Sequence, residues 1–157
     1  GINRGANVGN VSHLSGTVGA AMEGLYHGLP AIAVSEDPNS ENTAITAKFT
    51  ADLVDRYRRL GAPSGTMITI NVPAGELKGV AVRPMGDSYL STARYEPTVR
   101  DSMTTDYERV RMIVDSEDPT TDTYAYQQGY ISVTPLKFDW TDFEMLDEVE
   151  SWNLQID

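Results

Sequence analysis

Residues 15–35 read SGTVGAAMEGLYHGLPAIAVS and combine a helix signal with a strand signal that follows it directly. Ser15 is a favourable N-cap, and the small residues that follow it let a helix over 17–26 pack closely on a sheet. Positions 31–35 form a short, mainly apolar run after Pro30, which is typical of a buried parallel strand. The stretch therefore predicts a helix that leads into a sheet.

The alternation of helix and strand continues to residue 73. A second amphipathic helix is predicted to start at Asn39 or Ser40 and to be stopped by Gly61 and Pro63, because apolar residues recur between them at helical spacing. The members of this stripe are Ile45, Phe49, Leu53, Tyr57 and Leu60. Residues 67–72 then alternate as a strand, so the first half of the chain predicts an α/β sheet.

The second half predicts a different organisation. Residues 79–83 and 129–136 are predicted strands, and residues 89–95 and 107–114 are extended segments that suit a long hairpin. The polar stretch 115–123 predicts a loop. A final helix is predicted with Thr141 as its cap, Glu144 completing a capping box and Trp140 packing on Met145.

Composition excludes several classes of protein. The chain has no cysteine and only two histidines, which excludes disulfides and disfavours a histidine-based zinc site. The net charge of −11 arises entirely within residues 101–157, which disfavours binding to a nucleic-acid polymer. No apolar run approaches the roughly 20 residues of a membrane span. We therefore expect a cytoplasmic protein, and the opening glycine suggests a processed chain or a fragment.

The first nine residues, GINRGANVG, are the strongest chemical signal. This glycine- and asparagine-rich loop leads towards the helix that begins near Ser15, where backbone N–H groups of Ser15, Gly16 and Thr17 suit an anion. The loop is neither a Walker A sequence nor a G-x-G-x-x-G motif. The amide oxygens of Asn3 and Asn7 are acceptable ligands for Mg²⁺, Mn²⁺ or Ca²⁺, although no carboxylate lies in residues 1–22. The alternative is that both asparagines only cap turns.

These motifs together resemble the SurE family of metal-dependent nucleotide phosphatases, also called stationary-phase survival proteins. The resemblance rests on GINRGANVG at 1–9, SGTV at 15–18, EG at 23–24, PAIAVS at 30–35, INVP at 70–73, Asp122, and GYISVTPL at 129–136. It implies a Rossmann-like α/β fold with three layers and a mostly parallel sheet. Residues 1–78 would belong to the catalytic core, and residues 79–157 would complete the fold and build homodimers or homotetramers through the hairpin and the terminal helix.

The resemblance also implies an activity and a site. Family members hydrolyse nucleoside 5′- and 3′-monophosphates, and some cleave short polyphosphate, with one divalent ion such as Mn²⁺ or Mg²⁺. By this resemblance Asn3 is a metal ligand. The resemblance also implies that Asn7, Ser15, Gly16 and Thr17 bind the phosphate, and that Asn7, Ser15 and Thr17 among them are catalytic. The family's Asn-Asp-Asp-Gly motif, which carries further metal ligands, is absent from this sequence. His13 departs from the family pattern and could either orient substrate or be an uninvolved loop residue.

Two alternatives to an active nucleotidase stay open. The chain could be a non-catalytic module for oligomerisation and anion binding, since it lacks a local pair of carboxylates. A glycosidase-like or kinase-like enzyme is a weaker alternative, because neither an acid/base pair of carboxylates nor a phosphate-binding lysine is evident. We also expect this chain to aggregate, since the apolar strand at 31–34 requires neighbours on its faces and edges.

Overall fold

A five-stranded mixed sheet forms the centre of the computed structural model, which describes residues 1–156 except for the side chains of residues 92 and 93. The strand order is β1-β2-β3-β7-β4. The strands are β1 (Asn3–Arg4), β2 (Ile32–Glu36), β3 (Met67–Val72), β4 (Val80–Val82) and β7 (Ile131–Leu136). Three of the four strand pairings are parallel and only β3 with β7 is antiparallel, which confirms the predicted mostly parallel α/β sheet.

Helices cover both faces of the sheet and give the predicted three layers. Helix α1 (Gly16–Tyr26) packs through Val18 and Leu25 against Ala33 and Met67 on one face. Helix α2 (Thr43–Leu60) lies on the other face, where Phe49 and Leu53 pack against a second cluster of buried strand residues. The members of this cluster are Val34, Ile70, Val72, Ile131 and Val133. Because β2 and β3 lie in the middle of the sheet, both of their faces are buried.

Helix α2 differs from its prediction at its start, whereas its predicted end is confirmed, because Gly61 is the C-cap. It begins at Thr43, because the preceding residues form a turn in which the carbonyl and carboxylate of Asp37 accept hydrogen bonds from the backbone N–H groups of Ser40 and Asn39. Its predicted apolar stripe is only partly buried. Ile45 is 50% exposed and Leu60 is 75% exposed, whereas Phe49, Leu53 and Tyr57 are half-buried.

The C-terminal half contains a helix that the sequence did not predict. Helix α3 (Asp122–Gln127) begins inside the predicted loop, and the Thr121 side chain caps it by accepting a hydrogen bond from the N–H of Tyr124. The terminal helix α4 (Phe143–Ser151) is capped by Asp142, so the prediction of Thr141 as the cap was wrong by one residue. Trp140 packs edge-on against His13 with ring centroids 5.2 Å apart.

A long hairpin stands apart from the central sheet. Strands β5 (Leu90–Val99) and β6 (Thr105–Ile113) pair in antiparallel fashion, which confirms the predicted hairpin and extends its first strand. In the part of the chain that the structure describes, no helix has the length and apolar character needed to cross a membrane.

Candidate active site

The candidate site lies where the parallel strands β1, β2 and β3 end. The loop after β1 passes over Ser35 of β2 and Asn71 of β3, and these two polar side chains are buried with exposed fractions of 2% and 1%. Loops at the carboxyl ends of parallel strands are the usual place for ligands in open α/β sheets. The predicted asparagine loop therefore occupies the position that this fold offers for a ligand.

Ser35 holds the two predicted asparagines together. The Nδ2 of Asn7 donates to the Ser35 hydroxyl oxygen at 2.7 Å, and the Nδ2 of Asn3 approaches the same atom at 3.5 Å. The Nδ2 of Asn3 also donates to the Gly5 carbonyl at 2.7 Å. Both carboxamides thus use their nitrogens within the protein, and among the described residues no donor reaches either carboxamide oxygen. Those oxygens are available to a cation or to a donor on a ligand.

Asn71 fixes the backbone of the loop. Its Oδ1 accepts a hydrogen bond from the backbone N–H of Asn7 at 2.7 Å, and its Nδ2 donates to the Asn7 carbonyl at 3.3 Å. The Ser12 hydroxyl donates to the same carbonyl at 2.6 Å. The polar groups of the Asn7 peptide are satisfied, so its side chain is presented from a well-anchored position.

The start of α1 supplies free N–H donors beside this loop. The Ser15 side chain caps the helix by accepting from the Val18 N–H at 3.2 Å, as predicted. The Ser15 N–H itself donates to the Ser12 carbonyl, so the backbone donors at the start of α1 that no acceptor among the described residues reaches are those of Gly16 and Thr17. These N–H groups lie at the positive end of the helix dipole, which favours an anion there.

Asp122 connects this loop to the second half of the chain. Its buried carboxylate, 1% exposed, accepts from the N–H of Gly9 at 3.0 Å and from the N–H of Gly86 at 2.8 Å. Gly9 has a φ of +63°, and a Cβ there would lie 2.0 Å from the Asp87 carbonyl oxygen. The loop thus depends on a glycine and on a carboxylate from α3.

A hydrogen bond between a tyrosine and a carboxylate also ties α3 to the residue that follows β2. The Tyr126 hydroxyl donates to Oδ2 of Asp37 at 3.0 Å, and the Tyr89 ring packs edge-on against it with centroids 5.3 Å apart. Burial raises the pKa of Tyr126 strongly, and the neighbouring Tyr89 and Asp37 groups raise it further. Burial also raises the pKa of Tyr89. Both hydroxyls therefore remain protonated donors at neutral pH.

The predicted site residues do not all lie in one cavity. Asn7 and Ser15 line a cleft of about 310 Å³ between the loop and the hairpin, whereas Asn3, Gly16 and Thr17 lie outside its lining. His13 is exposed and faces a different, mainly apolar cleft beside Trp140. The structure thus brings Asn7 and Ser15 together and leaves His13 apart from them.

The donor set fits a divalent cation only in part. The free carboxamide oxygens of Asn3 and Asn7 are hard ligands of the type that Mg²⁺ and Mn²⁺ accept. They are neutral, however, and within residues 1–156 no group of three or more acidic or histidine side chains is placed to hold a metal ion. The described residues therefore supply at most a portion of a coordination shell.

Sequence reasoning missed the residues that hold the loop in place. Ser35 and Asn71 appeared only as parts of motifs, and Ser12 was not singled out. The usable signal is a polar residue at the end of an otherwise apolar strand, because such a side chain is buried only where it has hydrogen-bond partners. Asp122 gives no comparable signal, since its partners lie far away along the chain.

The fold and the site together define an α/β protein with free backbone N–H donors at a helix N-terminus and unused carboxamide oxygens in the loop beside it. The family model described as "Survival protein SurE" matches residues 1–92, and the chain belongs to the SurE family.

Relatives and a solved structure agree with this assignment. The chain is 36% identical to the 5′-nucleotidase SurE of Thermoanaerobacter sp. (strain X514), covering 100% of this chain and 64% of the relative. It is 41% identical to the 5′-nucleotidase SurE of Alkalilimnicola ehrlichii, over 97% of this chain and 61% of the relative. The crystal structure of the SurE protein from Aquifex aeolicus superposes with a TM-score of 0.77 at 30% identity, covering 98% of this chain and 64% of that one. The chain thus spans less than two thirds of the length of these relatives.

Proposed function

We propose that this chain carries the phosphate-binding part of a metal-dependent phosphomonoesterase that hydrolyses nucleoside 5′- and 3′-monophosphates and short polyphosphate. The observation that carries the proposal is the pairing of free N–H donors at the start of α1 with two unused carboxamide oxygens in the neighbouring loop. The names of the relatives, which are 5′-nucleotidases, support the substrate class.

Each residue has a distinct task in this proposal. The N–H groups of Gly16 and Thr17 and the hydroxyls of Ser15 and Thr17 donate to phosphoryl oxygens, and charge that develops there is stabilised by the helix dipole. Asn7 orients the phosphate from the opposite side with the second hydrogen of its Nδ2, since Nδ2 carries two hydrogens and donates one of them to Ser35. Asn3 offers its oxygen to a Mn²⁺ or Mg²⁺ ion, which when bound polarises the phosphoryl group and lowers the pKa of a bound water.

Exposed apolar side chains in the C-terminal part support a homodimer or homotetramer. Phe143 is 66% exposed, Leu146 is 52% exposed and Trp152 is 55% exposed, so α4 offers an apolar face that the described residues leave uncovered. We retain homo-oligomer formation and a cytoplasmic location as proposals, together with the absence of nucleic-acid and membrane partners.

An assay of phosphate release from 5′- and 3′-AMP and GMP, in the presence of Mn²⁺ or Mg²⁺, tests the proposed site. Both the 157-residue chain and the polypeptide as its gene encodes it should be assayed. In the active protein, Asn3→Ala and Asn7→Ala should each lower kcat by about 100-fold, the usual effect of losing one group that stabilises the transition state.

Asn39→Ala is the matched control, because Asn39 is an exposed asparagine in the loop before α2. It should leave kcat unchanged. An active protein in which Asn3→Ala has the same kcat as the wild type would contradict the assigned site. A folded protein that binds phosphate without turnover under any of these conditions would favour the non-catalytic, anion-binding alternative, which the shortage of acidic ligands also supports.

A further inference from the structure

The cleft that contains Asn7 and Ser15 has a second wall, which the hairpin provides. Opposite the loop, the cleft is lined by Leu90 and Ser91 of β5 and by Arg109 and Arg111 of β6. The base of the hairpin, the end nearest the central sheet, supplies Leu90, Ser91 and Arg111, because Leu90 pairs with Ile113 where β5 begins and β6 ends. Arg109 comes from the middle of β6, where it pairs with Tyr95. The hairpin therefore contributes directly to the cavity at the candidate site.

Arg109 and Arg111 point to the same side of β6. Residues two apart in a strand project to the same face, and both arginines line the same cleft. Neither guanidinium group forms an ion pair or a hydrogen bond with another described residue, whereas those of Arg94 and Arg100 in the same hairpin pair with Glu96 and Asp106, respectively. Their guanidinium groups are thus available to a ligand.

The charge distribution makes this placement distinctive. Residues 101–157 contain 14 acidic side chains and only three basic ones, and two of those three are Arg109 and Arg111. Among residues 1–156, no acidic side chain lines the cleft. The most acidic part of the chain therefore places most of its positive charge in a cleft that also contains the Asn7 carboxamide and the Ser15 hydroxyl.

The remaining lining sets the kind of anion. Val11, Leu14 and Leu90 add apolar surface beside the two cations, so the cleft suits a ligand with a charged end and an organic body. A guanidinium group binds a phosphate through two parallel hydrogen bonds, which a lysine cannot reproduce. A cavity of about 310 Å³ is at the lower end of the range for small-molecule sites.

We propose that Arg109 and Arg111 are substrate-binding residues that hold the phosphate of a nucleoside monophosphate across the cleft from Asn7 and Ser15. This inference rests on the proposed function, since it names the residues that supply positive charge to the same site. Arginines that contact the phosphate equally in the substrate and in the transition state change KM more than kcat.

The test combines steady-state kinetics with equilibrium binding of inorganic phosphate, both on the polypeptide as its gene encodes it. Arg109→Ala and Arg111→Ala should each raise KM for 5′-AMP about tenfold, the effect of losing one charge-assisted hydrogen bond, with kcat changed less than threefold. The double variant should also bind inorganic phosphate more weakly, and its phosphate affinity should depend less on salt.

Two controls accompany these variants. Arg59→Ala removes an exposed arginine of α2, outside the cleft, and should change neither KM nor phosphate affinity. Arg109→Lys retains the charge without the two-pronged geometry, so its KM should lie between those of the wild type and Arg109→Ala. Matching thermal melting curves for all variants would exclude a general loss of folding.

The outcomes separate this inference from the proposed function. If the wild type hydrolyses nucleotides and the double variant retains its KM and phosphate affinity, the arginine inference is wrong and the nucleotidase proposal stands. If the wild type binds phosphate through the arginines without any hydrolysis, the inference is supported and the nucleotidase proposal is wrong. If the wild type neither binds phosphate nor hydrolyses nucleotides, both are overturned.

Discussion

Asp122 shows how one residue can organise a site that it does not line. Its two carboxylate oxygens accept from Gly9 and from Gly86, so a single side chain joins the asparagine loop to the segment before the hairpin. The side chain is 1% exposed and also accepts from the Thr123 hydroxyl at 3.3 Å. Among the described residues no cation forms a hydrogen bond with it, so these neutral donors are what stabilise the carboxylate. Asp122 is thus a positioning residue in our interpretation, with no contact to a substrate.

Replacing Asp122 should therefore lower the stability of the fold, because it removes the contacts that hold the asparagine loop in place. We expect Asp122→Ala to lower the free energy of unfolding by about 2–4 kcal/mol, because two buried N–H groups lose their charged acceptor. Chemical denaturation measures this loss. Asp118→Ala is the control, since that exposed carboxylate accepts, among the described residues, from the backbone N–H and the hydroxyl of Thr120 alone. Equal stability of the two variants would contradict the role of Asp122.

At the scale of elements, the N-cap of the terminal helix α4 differs between sequence and structure: the sequence predicts Thr141, and the structure shows Asp142. The Asp142 carboxylate accepts from the N–H groups of Glu144 and Met145 at 3.1 and 3.2 Å. Thr141 instead donates its own N–H to Asp139 and belongs to the preceding turn. Both residues are good N-caps, so composition alone could not choose between them.

Substitution of the two candidate caps tests this difference. Asp142→Ala should destabilise α4 by about 1 kcal/mol, which corresponds to roughly fivefold less protection of the amides of residues 144–147 against hydrogen exchange. Thr141→Ala should leave that protection within twofold of the wild type. If Thr141→Ala lowers this protection more than Asp142→Ala does, Thr141 is the cap, as the sequence predicts.

Elements with a strong local signal were predictable, and the others were not. Ser15 followed by small residues predicted α1, and the alternating apolar residues predicted β3 and the hairpin. Helix α3 was missed because it has only six residues and its surroundings are polar, so its four buried side chains show no helical period in so short a segment. The start of α2 was mispredicted because the residues before Thr43 form a turn held by Asp37. The exposure of Ile45 and Leu60 was missed because burial depends on what covers the helix, which periodicity does not show.

At the scale of the whole molecule, one edge of the sheet is incompletely covered. Strand β1 pairs only with Ser35 and Glu36 of β2, so the outer edge of Ile32–Val34 has no partner strand among the described residues. Beside this edge lies a cleft of about 620 Å³ with a mainly apolar lining, which includes Ile2, Ile32, Val34 and Val54. An open edge next to apolar surface favours intermolecular pairing.

The 157-residue chain should therefore self-associate as its concentration rises. Light scattering coupled to size-exclusion chromatography at several concentrations measures this directly. Ile32→Lys places a charge at the open edge and should reduce association, whereas Met103→Lys, at the 94% exposed hairpin turn, should not. Monodisperse, cooperatively melting protein at high concentration would contradict this prediction.

The sequence by itself determined the family and the helix–strand alternation of the first half, and it indicated Asn3, Asn7 and the Ser15–Thr17 segment as candidate site residues. These features depend on residues that are close together in the chain, so their spacing carries the information. Only the tertiary structure placed Asp122 on Gly9, 113 residues away, and the hairpin arginines in the cleft of Asn7. Such contacts depend on which strands become neighbours, and that choice follows from how the apolar faces of all the elements are buried together.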